Sequence, residues 1–297
     1  AGWLANDYQR FVTSIEKIYA TVIVEPRIFN KEKAIVKQKI DGEIEYSKVS
    51  YRTGGEMILK DINIHIKPGE TVGIIGATGS GKTTLMNLLN RFYDVTTGSI
   101  KIDGVNVKDY DLQSIRSNIG LAMQDVFLFS DTIEGNIAYG RPDCSFEEVV
   151  AAAKIADAHN FIMQMSEGYD TIIGERGVGL SGGQKQRISL ARALLKDPTI
   201  LILDDTTSAV DMETESMIQN ELKNLDGNRT IFIIAHRISS IKAADQILVL
   251  DNGRIVESGK HQELIDKKGY YYTVFHHQYG DFDEIMETTK KVGGNIG

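Results

Sequence analysis

Residues 71–93 read TVGIIGATGSGKTTLMNLLNRFY and contain the three signals that decide the fold. An apolar run at residues 72–75 predicts a buried strand. A glycine-rich stretch follows at residues 76–83, and leucines then recur at the spacing of a helix from Leu85 onward. The stretch matches the pattern G-x-x-x-x-G-K-[ST] in the strand–loop–helix context that the pattern requires. We therefore predict that this loop binds a polyphosphate.

The chemistry of such a loop comes mainly from its backbone. Glycines let successive N–H groups face one point, and the helix that follows adds the positive end of its dipole. Lys82 is predicted to reach the β- and γ-phosphates, and the Thr83 hydroxyl to ligate Mg²⁺. The loop residues predicted to bind the nucleotide are Gly76, Thr78, Gly79, Ser80, Gly81, Lys82, Thr83 and Thr84.

The bulk composition is that of an ordinary globular protein. The chain has 297 residues, of which 42% are hydrophobic and 25% are charged. Its net charge of −8 argues against a nucleic-acid partner. Cys144 is the only cysteine, so no disulfide can form within the chain. No run of about 18 apolar residues is present, so the sequence contains no membrane-spanning segment.

Strands alternate with helices from the glycine-rich loop onward, which predicts a mainly parallel sheet with helices on both faces. Period-two patterns at residues 43–68 add a small antiparallel patch before the loop. Gln124, Asp204 and His236 each follow a predicted strand. Ligands of such sheets bind at the carboxyl ends of the strands. We therefore expect these three side chains to converge on the loop.

ATP hydrolysis needs a phosphate cradle, Mg²⁺, a group that aligns water, and charge stabilisation at the γ-phosphate. Asp204 follows four apolar residues, and its carboxylate suits coordination of Mg²⁺. The amide of Gln124 can hold the metal or the water, and His236 can hydrogen-bond the γ-phosphate. The predicted metal ligands are thus Thr83, Gln124 and Asp204.

The first 25 residues carry apolar side chains at steps of three and four, which predicts an amphipathic helix. One interpretation is an ordinary surface helix. The other is the cytoplasmic end of a longer helix. Residues 29–41 are rich in lysine without a sustained apolar period, and we interpret them as a linker.

Several further motifs resemble those of one family. LSGGQKQR, residues 180–187, is similar to the signature of ATP-binding cassette (ABC) ATPases. Residues 124–130 resemble the exporter Q-loop, and residues 174–177 resemble the cross-talk loop. Residues 208–211 resemble the D-loop, and His236 with the arginine after it resembles the switch histidine. The span 42–278 is similar to the nucleotide-binding domain of ABC exporters.

This resemblance implies an α/β fold: a RecA-like P-loop core, a small antiparallel β subdomain and a helical subdomain at about residues 125–188. It also favours residues 1–28 as the cytoplasmic end of the last transmembrane helix of the same chain. Residues 279–297 then form a C-terminal tail. The implied ligands are ATP and Mg²⁺, and the implied location is the cytoplasmic face of the cell membrane.

The resemblance further implies that two domains pair head to tail. Each ATP then lies between the glycine loop of one domain and the signature of the other. Ser181, Gly183 and Gln184 open a predicted helix, which makes a second N-terminal anion site. We expect these residues to bind the nucleotide of a second ABC subunit.

One departure concerns Asp205. The family usually has a glutamate here, which polarises the attacking water, and aspartate is shorter by about 1.5 Å. A displacement of about 1 Å in catalytic geometry can cost about a hundredfold in rate. We therefore predict a catalytic set of Asp205, His236, Gln124 and Lys82 that binds ATP well and hydrolyses it poorly. This favours the interpretation that the chain resembles the subunit of a heterodimeric exporter whose own site is degenerate. The alternative is a homodimer in which the backbone brings the Asp205 carboxylate close enough to the attacking water.

A second departure concerns the adenine. Thr53 offers no ring for stacking, and Tyr51, two residues earlier on the same strand face, is the candidate. Packing of Tyr51 in the small sheet is the alternative role.

Three functions compete. The first is the ATPase motor of a membrane exporter, and the second is a regulatory module that holds nucleotide for many partner cycles. The third is a soluble ABC ATPase of DNA repair or translation, against which the exporter-like loops, the N-terminal helix and the absence of a basic face argue. The sequence does not select a cargo among drugs, lipids and peptides.

Overall fold

The computed structural model describes residues 2–23, 26–206, 209–224 and 229–280. In chain order its strands are β1 (Ile44–Thr53), β2 (Glu56–Ile66), β3 (Thr71–Ile75), β4 (Thr97–Ile102), β5 (Val105–Asn106), β6 (Ile119–Ala122), β7 (Asp131–Thr132), β8 (Ile172–Ile173), β9 (Ile200–Asp204), β10 (Thr230–Ile234), β11 (Gln246–Asp251) and β12 (Arg254–Gly259). Its α-helices are α1 (Gly2–Val22), α2 (Lys82–Leu89), α3 (Leu112–Ser117), α4 (Ile133–Ala138), α5 (Phe146–Ile155), α6 (His159–Met163), α7 (Gly182–Leu195), α8 (Met212–Asn224) and α9 (His261–Lys267), and residues 270–280 are also helical.

A six-stranded sheet forms the centre of the domain, in the order β12-β11-β3-β10-β9-β6. Its strands are parallel except for β12, which pairs antiparallel with β11. The carboxyl ends of β3, β10, β9 and β6 therefore lie side by side. This confirms the predicted mainly parallel sheet and brings the residues after these strands to one edge.

Helices cover both faces of this sheet. Along β9 the side chains alternate: Ile200 and Ile202 join the core cluster that contains helix α2, whereas Leu201 and Leu203 join the cluster built by α4, α5 and α7. All four are buried, because a strand covered on both faces has no solvent-facing side.

The small antiparallel sheet has the order β2-β1-β4-β5 and packs onto the first face. Tyr46 of β1 is buried there, and its hydroxyl donates to the Leu85 carbonyl of α2 at 3.1 Å. Burial raises the pKa of Tyr46, so the phenol stays a neutral donor. The small sheet thus holds the helix that follows the glycine loop.

Two breaks between helices occur at residues with a left-handed backbone. Asp157, which separates α5 from α6, has a φ of 51°, and its carboxylate accepts from Arg187. Helix α9 ends at Lys267, since Lys268 has a φ of 51°. A second helical segment then runs over residues 270–280, its first turn capped by the Glu257 carboxylate.

Helix α1 spans 21 residues, as its apolar spacing predicted, and its large apolar side chains are exposed. None of the helices in the described part of the chain combines the length and the hydrophobicity that a membrane span requires. Ser208 of the predicted D-loop and most of the predicted tail, residues 281–297, lie outside the part of the chain that the structure describes.

The segment predicted as a linker, residues 29–41, is bound to the surface of the domain. Ile35 forms a bridge with Tyr110, and the Ser114 hydroxyl both donates to the Lys37 carbonyl and accepts from its N–H. The Asn30 side chain contacts Asp111, the N-cap of α3, at 2.6 Å. The segment is irregular in secondary structure, and its course is fixed by these contacts.

Asp103 anchors the end of this segment. Its carboxylate accepts from Lys37 Nζ at 2.8 Å and from the backbone N–H groups of Asp41, Gly42 and Glu43 at 2.8, 2.9 and 3.1 Å. Burial raises the pKa of Asp103, but the bonds from Lys37 and the backbone outweigh it and hold the pKa below its usual value.

We expect the Asp103→Asn variant to lose about 2 kcal/mol of unfolding free energy at pH 7, because a neutral amide replaces a carboxylate with four donors. Since the folded-state pKa is depressed, this stabilisation is present above the ordinary value of 3.8 and is lost as the pH falls through the folded-state pKa. Urea unfolding at several pH values should show the two proteins converging in acid. Asp61→Asn, also at positive φ but exposed, is the matched control. A constant difference at all pH values would contradict this account.

Candidate nucleotide-binding site

The loop after β3 can only be built from glycine at its first position. A Cβ on Gly76 would lie 2.0 Å from the Leu250 carbonyl oxygen. Gly81 has a φ of 105° and is the N-cap of α2. Such a conformation disfavours any residue with a side chain. The loop therefore turns sharply between the sheet and the helix.

Lys82, the first residue of α2, folds back into this loop. Its Nζ donates to the carbonyls of Gly76 at 2.8 Å and Ala77 at 2.9 Å. Burial lowers the pKa of Lys82, and the charges of Asp204 and Asp205 oppose this shift. A buried cation is thus held beside the N-terminus of a helix.

The N-terminus of α2 suits a phosphate group. No side chain of the described residues caps it, so its first N–H groups point outward. A Cβ on Gly79 would meet nothing within 4 Å, which shows that the loop is open on that side. The Ser80 hydroxyl is buried and has no hydrogen-bond partner among the described residues. Helix dipole, free N–H groups and the Lys82 cation together favour an anion.

Two side-chain oxygens that could ligate a metal ion lie next to this anion site. The Thr83 hydroxyl donates to Asp204 Oδ2 at 2.9 Å, and Asp204 is only 6% exposed. Burial raises the pKa of Asp204, while the bond from Thr83 opposes it. Within the described residues no cluster of three His, Cys, Asp or Glu side chains could hold a metal. A pair of oxygens fits Mg²⁺, which usually takes its other ligands from phosphates and water.

Asp205 directly follows β9 in a left-handed conformation, with a φ of 50°. Its N–H donates to the Ile234 carbonyl at 2.9 Å, and its Oδ2 lies 3.4 Å from Gln124 Nε2. The carboxylate and the amide that follow the adjacent strands β9 and β6 are therefore neighbours.

Most of these groups border one cleft of about 350 Å³, a size typical of ligand sites, but Asp205 is not among its lining residues. Its lining residues are Ile58, Thr78, Gly79, Gly81, Lys82, Thr83, Thr84, Gln124, Asp204, Ile234 and His236. Most of the predicted loop residues, with Gln124, Asp204 and His236, thus share one space. The sequence analysis missed Ile58 of β2, which adds an apolar wall and carried no motif.

Gly76, Ser80, Asp205 and the remaining predicted residues lie outside that lining. The ring of Tyr51 is half-buried, with its centroid 5.7 Å from that of Tyr93. Ser181 is the N-cap of α7 and forms a capping box with Gln184, with distances of 3.3 and 2.9 Å. Gly183 packs against the D-loop, since a Cβ there would lie 2.8 Å from the Ala209 carbonyl.

Gln186 of α7, which the sequence analysis also missed, connects the signature helix with Asp205 and the D-loop. Its side chain is buried, donates to the Asp205 carbonyl at 3.2 Å and accepts from the Ala209 N–H at 3.2 Å. One side-chain amide therefore connects the signature helix, the D-loop and Asp205. The glutamine is separated from Asp205 by 19 residues, so no local spacing could reveal the contact.

Residues 59–208 match the family described as ABC transporter, and this span includes the glycine loop, Gln124, Asp204 and the signature. The chain belongs to the ABC transporter family. With its RecA-like P-loop fold, it is an ATP-binding domain and an ATPase.

The chain is 49% identical over 288 residues to the ABC transporter ATP-binding protein YknU of Bacillus subtilis (strain 168), covering 96% of this chain and 49% of the relative. It is 47% identical over 266 residues to YgaD of the same organism, named as a multidrug export ATP-binding/permease protein, covering 89% of this chain and 46% of the relative. A bacterial Atm1-family ABC exporter with ATP bound superposes with a TM-score of 0.87 at 37% identity, covering 91% of this chain and 47% of that one. The chain thus spans about half the length of the proteins that it matches.

Proposed function

We propose that this chain is the motor domain of an ABC export transporter and lies at the cytoplasmic face of the cell membrane. Its own site binds ATP with Mg²⁺ and hydrolyses it slowly, and its signature completes the site of a second ABC subunit. The observation that carries this proposal is Asp205, a carboxylate with a short side chain beside Gln124. Relatives named as export ATP-binding/permease proteins support the assignment to export.

Each residue of the site has a separate role in phosphoryl transfer. Lys82 and the N–H groups at the start of α2 bind the phosphates, and Thr83, Asp204 and Gln124 would hold Mg²⁺. When bound, Mg²⁺ would offset negative charge on the phosphate oxygens. His236 donates to the γ-phosphate. Asp205 orients and polarises the attacking water, at a disadvantage because its side chain lacks one methylene.

The signature acts at a different nucleotide. The start of α7 is exposed on the surface of the domain, outside the cleft of its own loop. Its capping box uses the N–H groups of Ser181 and Gln184, but the Ser181 hydroxyl only accepts there and can still donate. A second subunit whose glycine loop faces Ser181 would therefore gain a donor to its phosphate. We favour a heterodimer, in which the partner carries glutamate at the position of Asp205, over a homodimer.

Residues 1–28 are proposed as the cytoplasmic end of the last transmembrane helix, and residues 29–41 as the linker to the nucleotide-binding domain at 42–278. The exposed apolar side chains of α1 support this proposal, because a helix with such a face is incompletely packed by the domain itself.

A second function, a regulatory module that holds ATP through many cycles of its partner, is favoured by the same Asp205. Both functions use one cleft, and they differ in whether nucleotide turnover at this cleft drives transport.

We expect Ser181→Ala in the full-length transporter to lower ATP turnover by about ten- to a hundredfold, because a hydroxyl donated to a charged phosphate contributes about 1.5–3 kcal/mol. ATP affinity at this chain's own site should stay unchanged. Ser145→Ala is the matched control, since Ser145 also caps a helix through a capping box but lies in the helical subdomain. Both variants lose about 1 kcal/mol of cap energy. Equal turnover in the two variants would rule out a shared site at Ser181.

A further inference from the structure

The helical segment at residues 270–280 reaches the loop that carries His236. Gln278 Nε2 donates to the His236 carbonyl at 2.7 Å, and Gln278 Oε1 accepts from the Ile238 N–H at 2.9 Å. One amide thus engages the backbone on both sides of a single residue. Only one orientation of the amide satisfies both contacts, so its donor and acceptor ends are assigned by the backbone.

The start of the helical segment that carries Gln278 is packed into the core. Tyr271, one of the first residues of the segment, is fully buried, and its hydroxyl contacts His261 Nδ1 at 2.7 Å. Tyr271 belongs to the same core cluster as Ile238 and Leu264, and Phe275 packs against that cluster. The segment that carries Gln278 and the loop that carries His236 therefore share one core.

The loop is held on its C-terminal side, where Ile238 is buried and begins a 3₁₀ helix, and it leaves the sheet on its N-terminal side. Strand β10 ends at Ile234, and the Ala235 N–H makes a last bond to the sheet at the Ile74 carbonyl, at 3.2 Å. His236 then leaves the sheet, is exposed, and lines the nucleotide cleft. In the described contacts, Gln278 is the partner that holds both the His236 carbonyl and the Ile238 N–H.

We propose that Gln278 is a positioning residue for His236. By holding the backbone of residues 236–238, it sets where the imidazole lies in the cleft. The preference of the site for ATP over ADP therefore depends on a C-terminal side chain that never touches the nucleotide. This inference rests on the proposed role of His236 at the γ-phosphate, which ATP has and ADP lacks.

The test measures the dissociation constants of ATP and ADP for the full-length protein in the presence of Mg²⁺. Gln278→Met keeps the length of the side chain and its helix propensity but removes both hydrogen bonds. We expect it to reduce the preference for ATP over ADP by roughly five- to tenfold, the effect of one or two lost hydrogen bonds. Gln262→Met is the matched control, because Gln262 is an exposed glutamine of α9 that bonds only Asp266 in the described contacts.

A double-mutant cycle separates positioning from a general loss of packing. His236→Ala alone should lower the ATP preference at least as much as Gln278→Met, and the double variant should lower it no further. An unchanged preference in Gln278→Met, or additive losses, would overturn the inference while leaving the role of His236 intact. An unchanged preference in His236→Ala would instead refute the role of His236, and the inference with it.

Discussion

We expect the Asp205→Glu variant to hydrolyse ATP up to about a hundredfold faster at this chain's own site. The added methylene moves the carboxylate toward the water by about 1 Å, and such a displacement is worth about 2.7 kcal/mol in the barrier. Part of this gain is offset, because Asp205 has a φ of 50°, a conformation that aspartate tolerates better than glutamate.

The measurement is single-turnover hydrolysis in the full-length complex, with the partner's own catalytic carboxylate neutralised so that only this site reports. Asp197→Glu controls for the backbone cost, since Asp197 has a φ of 49° and lies before β9, away from the cleft. An unchanged rate in Asp205→Glu would show that the reach of the carboxylate was not limiting. It would favour a homodimer in which aspartate already suffices.

The second large effect is expected for Lys82→Met, which should weaken ATP binding by about a hundredfold. The ammonium is the cation of the anion site, and a charged hydrogen bond to phosphate contributes up to about 3 kcal/mol. The side chain is buried, so the loss includes its two bonds to the loop carbonyls. Titration with ATP and thermal unfolding without ATP distinguish lost affinity from lost stability.

Lys196→Met is a matched control for this variant. Lys196 is also a lysine whose pKa burial lowers, and its Nζ donates to the carbonyls of Arg116 at 2.7 Å and Ile119 at 2.9 Å. It should lose stability and keep ATP affinity. Equal ATP affinity in Lys82→Met and Lys196→Met would remove Lys82 from the site. Loss of transport with residual ATPase in Lys82→Met would favour the regulatory module over the motor.

The sequence predicted the parts of the site that are encoded locally. The glycine loop, Lys82 and Thr83 follow one pattern within eight residues, and Asp204 and His236 follow apolar strands. The rule that ligands bind at the carboxyl ends of parallel strands then brought them together without coordinates. The order β3-β10-β9-β6 places the residues that follow these strands at one edge of the sheet, beside the cleft.

The residues that it missed act across long separations in the chain. Gln186 contacts Asp205, and Gln278 contacts His236 across 42 positions. Ile58 reaches the cleft from another sheet. A side-chain amide bound to distant backbone has no periodicity and no motif of its own, so only the packing of the elements reveals it. The left-handed conformations of Asp157 and Lys268, which interrupt helical segments, likewise carry no motif.

The attachment of residues 29–41 has a mechanical consequence. Asn30 and Lys37 are attached to α3 and Asp103, and Ile35 is paired with Tyr110, so residues 30–37 contain little slack. A displacement of these residues would load α3 first. The load would then pass into β6, which ends two residues before Gln124. Movement of residues 30–37 would therefore act close to the cleft, rather than being absorbed by an extensible tether.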